Sequence, residues 1–515
     1  MSLTPVQTSY PGVYVVEVPS GVRTISGVAI SITAFVGRAL RGPVNDPVTI
    51  HTYGDFERIF GELWTESHLG YSVQDYFRLG GGSAIIVRAH KTKTNDTAKL
   101  SVGTGNAELK LQAASPGAWG SNLIATVDKD TADPTNTSLF NLTVSDTGRD
   151  FTEVFRNVSF NPANARSVDR VLAGSSTLVR VVTPLPTAAL GSATAASAPT
   201  TGGNDGDPIT KDEINDGAGM QANKTGMYAL EKADLFNMLV IPPYEGTGHV
   251  GERNIANSVV TNAMAYVEAR RAVLILDPPT AWSTKALAET NAVLAPYNRG
   301  DHAAVYFPRI NQPDALHDGQ VAQFAPSGAI AGLIAATDAS RGVWKSPAGL
   351  DTALSGVASL AIPLTDLEIG DLNPLGINCL RMAPGAGHVV WGARTRDGSD
   401  RLASEWKYLA VRRTALFLEE SLFRGLQWAV FEPNDEPLWG QIRLNVGSFM
   451  NNLFRQGAFA GRSPRDAYFV KCDRETTTQN DINLGVVNIQ VGFAPLKPAE
   501  FVVLRLQQMA GQINA

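Results

Sequence analysis

Three continuous apolar runs constrain this chain most: FNMLVIPP (236–243), AVLILDPP (272–279) and HAAVYFPRI (302–310). A strand wetted on one face alternates apolar and polar residues, whereas a run that is apolar throughout must be covered on both faces. The stretches between them, around Ile255–Arg271 and Thr284–Leu294, read as helices. Strand, helix, strand in this rhythm predicts a mostly parallel sheet with helices on both sides. The same pattern starts earlier, with Val28–Gly37, a helical YGDFERIFGEL (53–63), the stretch YSVQDYFRLGGG (71–82) and the buried strand SAIIVRA (83–89). Gly80, Gly81 and Gly82 follow a helix and precede a strand. That is the reverse of the strand–loop–helix order that aims amides at a phosphate, so they read as a helix stop. No GxxxxGK[ST] sequence occurs, and none of these features implies a nucleotide or other cofactor.

At 515 residues the chain is too long for one core. Its texture changes between 92 and 225, where Ser, Thr, Ala, Gly, Asn and Asp surround short alternating runs such as LFNLTV (139–144) and EVFRNVSF (153–160). The stretch reads as a β-rich insertion, with ALGSATAASAPTTGGNDGD (189–207) as a mobile loop. From Asn373 onward, amphipathic helices alternate with short β-prone runs. Val411, Ala415, Leu418 and Leu422 form one apolar stripe, and Ile442, Val446, Phe449 and Leu453 form a second. The second helix is expected to start behind Asn434 and Asp435, with Pro437 in its first turn, and to stop at Gly457. Tyr468–Cys472 and the alternation through Val487, Ile489, Val491 and Phe493 predict strands. Both termini carry β-prone segments set off by prolines: Val13, Tyr14, Val15 and Val16 before Pro19, and Phe501, Val502, Val503, Leu504 and Leu506 after Pro498. The expected division is an arm at 1–20, an α/β body at 21–91 and 226–372, the insertion at 92–225, a C-terminal domain at 373–498 and a second arm at 499–515.

Chemistry finds little support. His249, Asp277 and Ser327 are the residue types of a protease triad, but the order His, Asp, Ser and the setting of the serine do not fit a subtilisin-type arrangement. Asp277, before two prolines, reads as a strand-end residue satisfying a turn. The seven histidines lack metal-ligand spacing, and Cys379 and Cys472 are too few for a disulfide scaffold or a four-cysteine zinc site. A net charge of -6 without a basic tract argues against nucleic acid. No apolar stretch reaches the length of a membrane span, and MSLTPVQTSYPG does not read as a signal peptide. Trp391, Trp406, Trp428 and Trp439 fit core and interface packing better than a glycan platform.

Long segments carry a resemblance. WGARTRD (391–397), VRRTALFLEES (411–421), WAVFEPNDEPLW (428–439), AYFVKCD (467–473) and GFAPLKPAEFVVLRLQQ (492–508) closely resemble the C-terminal domain of contractile tail sheath proteins. PGVYVVEVPSG (11–21), FVGRALRGP (35–43), SPGAWGSN (115–122) and PSGAIAGLIAATDASRGVWKSPA (326–348) also look like that family. The resemblance implies a multidomain α/β protein: a central α/β domain, subtilisin-like in fold, with a β-rich insertion, a C-terminal sheath domain and extended arms. It implies a structural subunit rather than an enzyme, polymerising with itself as stacked hexameric rings around an inner tube protein. Baseplate and terminator proteins, and sheath paralogues, are the other expected partners. Such a chain is expected to be made in the cytoplasm of a bacterium, assembled into a virion or tail-like particle and released by lysis. Strand exchange between copies is assigned to Val13, Tyr14, Val15, Val16, Phe501, Val502, Val503, Leu504 and Leu506. A basic face of Lys407, Arg412, Arg413 and Arg424 is expected to meet the tube. The rival readings are a hydrolase on the central α/β domain and a glycan-binding module in the insertion.

Overall fold

The structure, a computed structural model, describes residues 23–191, 198, 199 and 201–505. Its contacts divide the chain into two compact units, Ala29–Arg413 and a second formed by the N-terminal segment to Val28 together with Thr414 onward.

The larger unit is built on an eight-stranded sheet. From edge to edge its strands are Gly387–Val390, Ile377–Ala383, Ala303–Phe307, Val273–Leu276, Met238–Val240, Thr33–Gly37, Ala84–Arg88 and Val48–Ile50. The six inner strands run parallel and the two edge strands antiparallel. Every residue of Thr33–Gly37, Val273–Leu276 and Ala303–Phe307 is buried, as the unbroken apolar runs predict. Helices Tyr53–Phe60, Leu69–Arg78, Asn257–Ala269, Lys285–Asn291, Ser327–Arg341 and Asp366–Leu372 connect or follow these strands. The glycine stop is present: the Leu69–Arg78 helix ends just before Gly80, whose φ of +106° is open to glycine but strained for other residues.

Two expected boundaries move. Ile377–Ala383 pairs in register with Ala303–Phe307, so the segment from Asn373 completes the central sheet instead of opening the C-terminal domain. Its run INCLRMA is buried over its first four positions, as an inner strand requires. The insertion also closes before 226. Lys91 and Asp207 bridge its two ends, and Ile209 and Ile214 already belong to the central core. Within it, Lys99–Val102, Leu109–Ala113 and Val179–Val181 form one antiparallel sheet, and Leu123–Asp128, Leu139–Asp146 and Phe151–Ser159 form another. Their alternating residues, such as Leu123, Ala125 and Val127 with Leu109, Leu111 and Phe140, share a separate core. Part of the expected mobile loop, 192–197 and Thr200, lies outside the described residues. The part that is described is tied down, with Thr201 O accepting from the Lys99 amide at 2.9 Å and Asn95 O from the Gly203 amide at 3.0 Å. Low complexity hid these backbone bonds because they require no particular side chain.

The smaller unit contains most of helix Leu409–Gly425, helix Glu436–Arg455 and the antiparallel pair Tyr468–Lys471 and Gln490–Phe493. Asp435 caps the second helix by accepting from the Leu438 amide at 3.2 Å, and the stripe of Ile442, Val446, Phe449 and Leu453 is buried. Residues 23–28 lie along both helices. The Arg23 amide donates to Asn445 Oδ1 at 3.1 Å and the Val28 amide to Ser421 Oγ at 3.2 Å. Gly425 permits this approach, since a Cβ there would come within 2.5 Å of Ile25.

Candidate functional site

In the smaller unit, the most exposed apolar run is the segment after Pro498. Phe501, Val502, Val503 and Leu504 are 74, 87, 78 and 78% exposed, and they have no assigned strand or helix. Four consecutive large apolar side chains there face water and not the core. In the same unit, Tyr468–Lys471 and Gln490–Phe493 pair only with each other among the described residues. Each therefore offers an outer edge to which a further strand can hydrogen-bond. Phe469 on this pair is half exposed, and Phe431, between the two long helices, is fully exposed at a φ of +69°. Leu506 and Val13, Tyr14, Val15 and Val16 lie outside the described residues.

The expected basic face is not present as such. Arg413 is buried, with Nη1 donating to Asp338 Oδ1 at 2.8 Å and Nη2 to the Ile30 carbonyl at 2.8 Å. Arg412 is also buried. Its Nη2 meets His302 Nε2 at 2.6 Å, its Nε lies 3.5 Å from Asp301, and its guanidinium sits 4.6 Å from the centre of the Trp406 ring. Lys407 pairs with Asp400 at 2.7 Å, and Arg424 with Glu420 one turn back at 2.7 Å. The sequence showed the cations, but the anions that bury Arg412 and Arg413 come from distant segments.

The protease residues do not assemble. Asp277, at the end of its strand, accepts from the Ser327 amide at 2.8 Å and the Ser327 hydroxyl at 2.7 Å. It thus satisfies the start of the Ser327–Arg341 helix and not a turn of its own. The acid holds the serine proton directly, with no imidazole between them. The nearby His68 has both nitrogens committed, Nδ1 to Ser72 Oγ at 2.8 Å and Nε2 to the Ala325 amide at 3.2 Å. Burial, aided by nearby Arg309, drives its pKa down to about 3.

Burial pushes the Asp277 carboxyl up to about 6, against the opposing bonds from Ser327. With its pKa raised above the unfolded value of about 4, the native state holds the extra proton between about pH 4 and 6, so stability falls as pH rises through that window. The cost is about 3 kcal/mol at most. Asp277→Asn keeps a carbonyl for the Ser327 amide and an amide for its hydroxyl. It is expected to fold normally and to flatten this part of the pH–stability curve in urea unfolding. A variant that retains the wild-type slope would show that Asp277 is not its source.

His249 lies elsewhere, in a cluster the sequence did not reveal. Its Nε2 and His317 Nδ1 approach the same oxygen of buried Asp314, at 2.8 and 2.7 Å, while the Tyr71 hydroxyl donates to the other oxygen at 2.9 Å. The Gly251 amide donates to His249 Nδ1 at 3.1 Å, which leaves the proton of the neutral ring on Nε2, facing the carboxylate. Among the described residues, His249, Asp314 and His317 lie close enough together to hold a metal ion. The nitrogen–oxygen separations and the tautomer are those of hydrogen bonds, because a metal on Nε2 requires the proton on Nδ1. Burial alone would raise the Asp314 carboxyl, but bonds from His249, the Leu316 amide, His317 and Tyr71 outweigh it and hold it at about 2. A depressed carboxyl contributes stability above its unfolded pKa and loses it as pH falls through the folded one. Asp314→Asn is therefore expected to cost about 2–3 kcal/mol at pH 7 and to weaken the loss of stability between about pH 4 and 2. An unchanged acid limb in denaturant titrations would refute this.

Comparison with known proteins gives this architecture a family. The profile of the phage tail sheath protein central domain matches residues 216–396, and that of the phage tail sheath C-terminal domain matches 403–509. A tail sheath protein of Vibrio phage KVP40 is 27% identical over 179 residues, 35% of this chain but only 25% of that one. A Pseudomonas aeruginosa protein described as a prophage major tail sheath protein is 26% identical over 296 residues, 55% of this chain and 69% of the other. Among solved structures, the sheath complex of an extracellular contractile injection system, PVC, in its contracted state, superposes with a TM-score of 0.59. It shares 22% identity and covers 98% of this chain and 99% of that one. The fold is that of a contractile sheath subunit. The chain belongs to the phage tail sheath family. Among the described residues, no helix is long and apolar enough to cross a membrane.

Proposed function

We propose that this chain is a structural subunit of a contractile sheath and works by self-association, without catalysis. The observation that carries the reading is the exposed segment Phe501–Leu504 in a family member whose C-terminal unit holds a strand pair with open outer edges. A strand added to such an edge gains backbone hydrogen bonds that depend little on side-chain identity, so it can persist while the joined bodies rotate. Val13, Tyr14, Val15 and Val16 at one end, and Phe501, Val502, Val503, Leu504 and Leu506 at the other, are the proposed exchanging segments.

Copies joined head to tail in this way close into rings or wind into helices. Stacked hexameric rings around an inner tube are the proposed assembly, with baseplate and terminator proteins at its ends. The extended lattice is metastable, and release lets the bodies rotate into a shorter, wider lattice with more contact. The energy is stored at assembly as a conformational bias, so no nucleotide is needed. The tube contact is not assigned to Arg412 and Arg413, which are committed inside the protein. Negative-stain electron microscopy of the purified chain, with and without its tube protein, tests the reading. Striated hollow tubes are expected, and small uniform particles under both conditions would overturn it.

A further inference from the structure

In the smaller unit one residue is held against its own backbone preference. Val430 has a φ of -68° and a ψ of 131°, Phe431 has a φ of +69°, and the Glu432 amide donates to the Ala429 carbonyl at 3.3 Å. These are the marks of a type II β-turn, whose third position needs positive φ and is ordinarily glycine or asparagine. A bulky side chain there strains the backbone. Phe431 gains nothing from its own unit in return, since it is 102% exposed, and Val430 beside it is 57% exposed. The turn is also fixed in place. Just after it, Asn434 Nδ2 donates to the Val486 carbonyl at 3.0 Å, and Trp439 Nε1 donates to Asn434 Oδ1 at 2.9 Å. Strained residues of this kind cluster at sites of binding and switching.

The larger unit holds a groove that suits such a side chain. It lies between the second half of helix Ser327–Arg341 and the segment 345–352, and has a volume of about 330 Å³. A space of about 150 Å³ is enough to take up a benzene ring. Leu333, Ala336 and Ala348 line the groove. The hydroxyls of Thr337 and Ser340, also on the lining, are spent on the Leu333 and Ala336 carbonyls, both at 2.8 Å. The two cations of the lining differ. Lys345 Nζ donates to the Ser346 carbonyl at 2.9 Å, whereas Arg341 is exposed and has no hydrogen-bond or ion-pair partner among the described residues. Glu432, next to Phe431, is exposed too, and its carboxylate has no partner among them. Asp351, also on the lining, disfavours a highly acidic partner.

We propose that the turn at Val430, Phe431 and Glu432 docks into this groove on a second copy of the chain, with the Phe431 ring in the groove and Glu432 paired to Arg341. The inference rests on the sheath-subunit reading, which sets copies side by side, and adds a contact separate from the terminal segments. Because the turn and the groove are different surfaces, the contact is head to tail and repeats from copy to copy. Docking removes from water the apolar area that the free chain exposes at Val430 and Phe431. A turn already fixed in shape loses little freedom when it binds. The strain at Phe431 is then borne by folding and offset by association.

The test is sedimentation velocity of the full-length chain over a concentration series, with negative-stain electron microscopy of the same samples. Phe431→Gly fits the turn and removes the anchor. Its unfolding midpoint is expected at or above that of the unaltered chain, while self-association weakens about tenfold or more, as for other buried aromatic anchors. Glu432→Arg and Arg341→Glu are each expected to weaken association, and the double variant, with the charges exchanged, to recover it. A folded Phe431→Gly chain that assembles like the unaltered one overturns the proposal and leaves the sheath reading standing. Loss in Phe431→Gly without any effect of Arg341→Glu places the turn on another partner, such as a tube protein, and overturns the assignment to this groove. An unaltered chain that neither associates nor forms tubes, with or without its tube protein, overturns both readings.

Discussion

Arg413→Ala is expected to destabilise the protein by about 3–5 kcal/mol, because it leaves the Asp338 carboxylate buried without its counter-charge. Both partners are almost fully buried, at 3 and 0% side-chain exposure. The remaining bond to that carboxylate, from the Ser31 hydroxyl at 3.1 Å, cannot neutralise it. The same substitution strips a donor from the Ile30 carbonyl. A loss of this size is a large fraction of the 5–15 kcal/mol that holds a typical domain together. Chemical denaturation at neutral pH measures it directly. Arg413→Ala with Asp338→Ala should recover part of the loss, since a single orphaned charge costs more than the absence of the pair. If Arg413→Ala falls within about 1 kcal/mol of wild type, the effect of a surface pair, the buried bridge does not anchor this region.

Removing residues 500–515 is expected to abolish tube formation while leaving the chain folded. None of Phe501–Leu504 lies in the strand ladders or buried cores, so the truncated protein should keep its circular dichroism and unfolding midpoint. What it loses is the segment proposed to pair with a neighbouring copy, and sedimentation or electron microscopy should then find no tubes. Proline gives a finer test. In a strand added to one edge, alternate N–H groups face the partner, and proline has none to give. Val502→Pro and Val503→Pro should therefore differ, one abolishing assembly and the other tolerated more readily. Normal tubes from the truncated chain would show that the C-terminal segment is not the link between copies.

Local patterns were legible because their cause is local. Strands covered on both faces have to be apolar throughout, so FNMLVIPP, AVLILDPP and HAAVYFPRI announced the parallel core. Every fourth or third residue of a helix faces one way, so the stripe from Ile442 to Leu453 announced its buried face. Asp435 and the glycines after Arg78 marked helix ends for equally local reasons. The long resemblance to sheath proteins supplied the family, which no single residue pattern could.

Only the tertiary structure decided which charges meet. Arg412 and Arg413 sit in a sequence that reads as a basic helix face, yet their partners lie 110 and 75 residues away, and the pairing buries them. The carboxylate that gathers His249 and His317 belongs to Asp314, 65 residues beyond His249, and Asp277 meets Ser327 across 50 residues. The strand Ile377–Ala383 joined the body for a similar reason, because its hydrogen-bond partner is Ala303–Phe307. A sequence fixes its elements through interactions within a few residues. Long-range ion pairs and strand order depend on how the chain closes its loops, and that is set by the packing of the whole core.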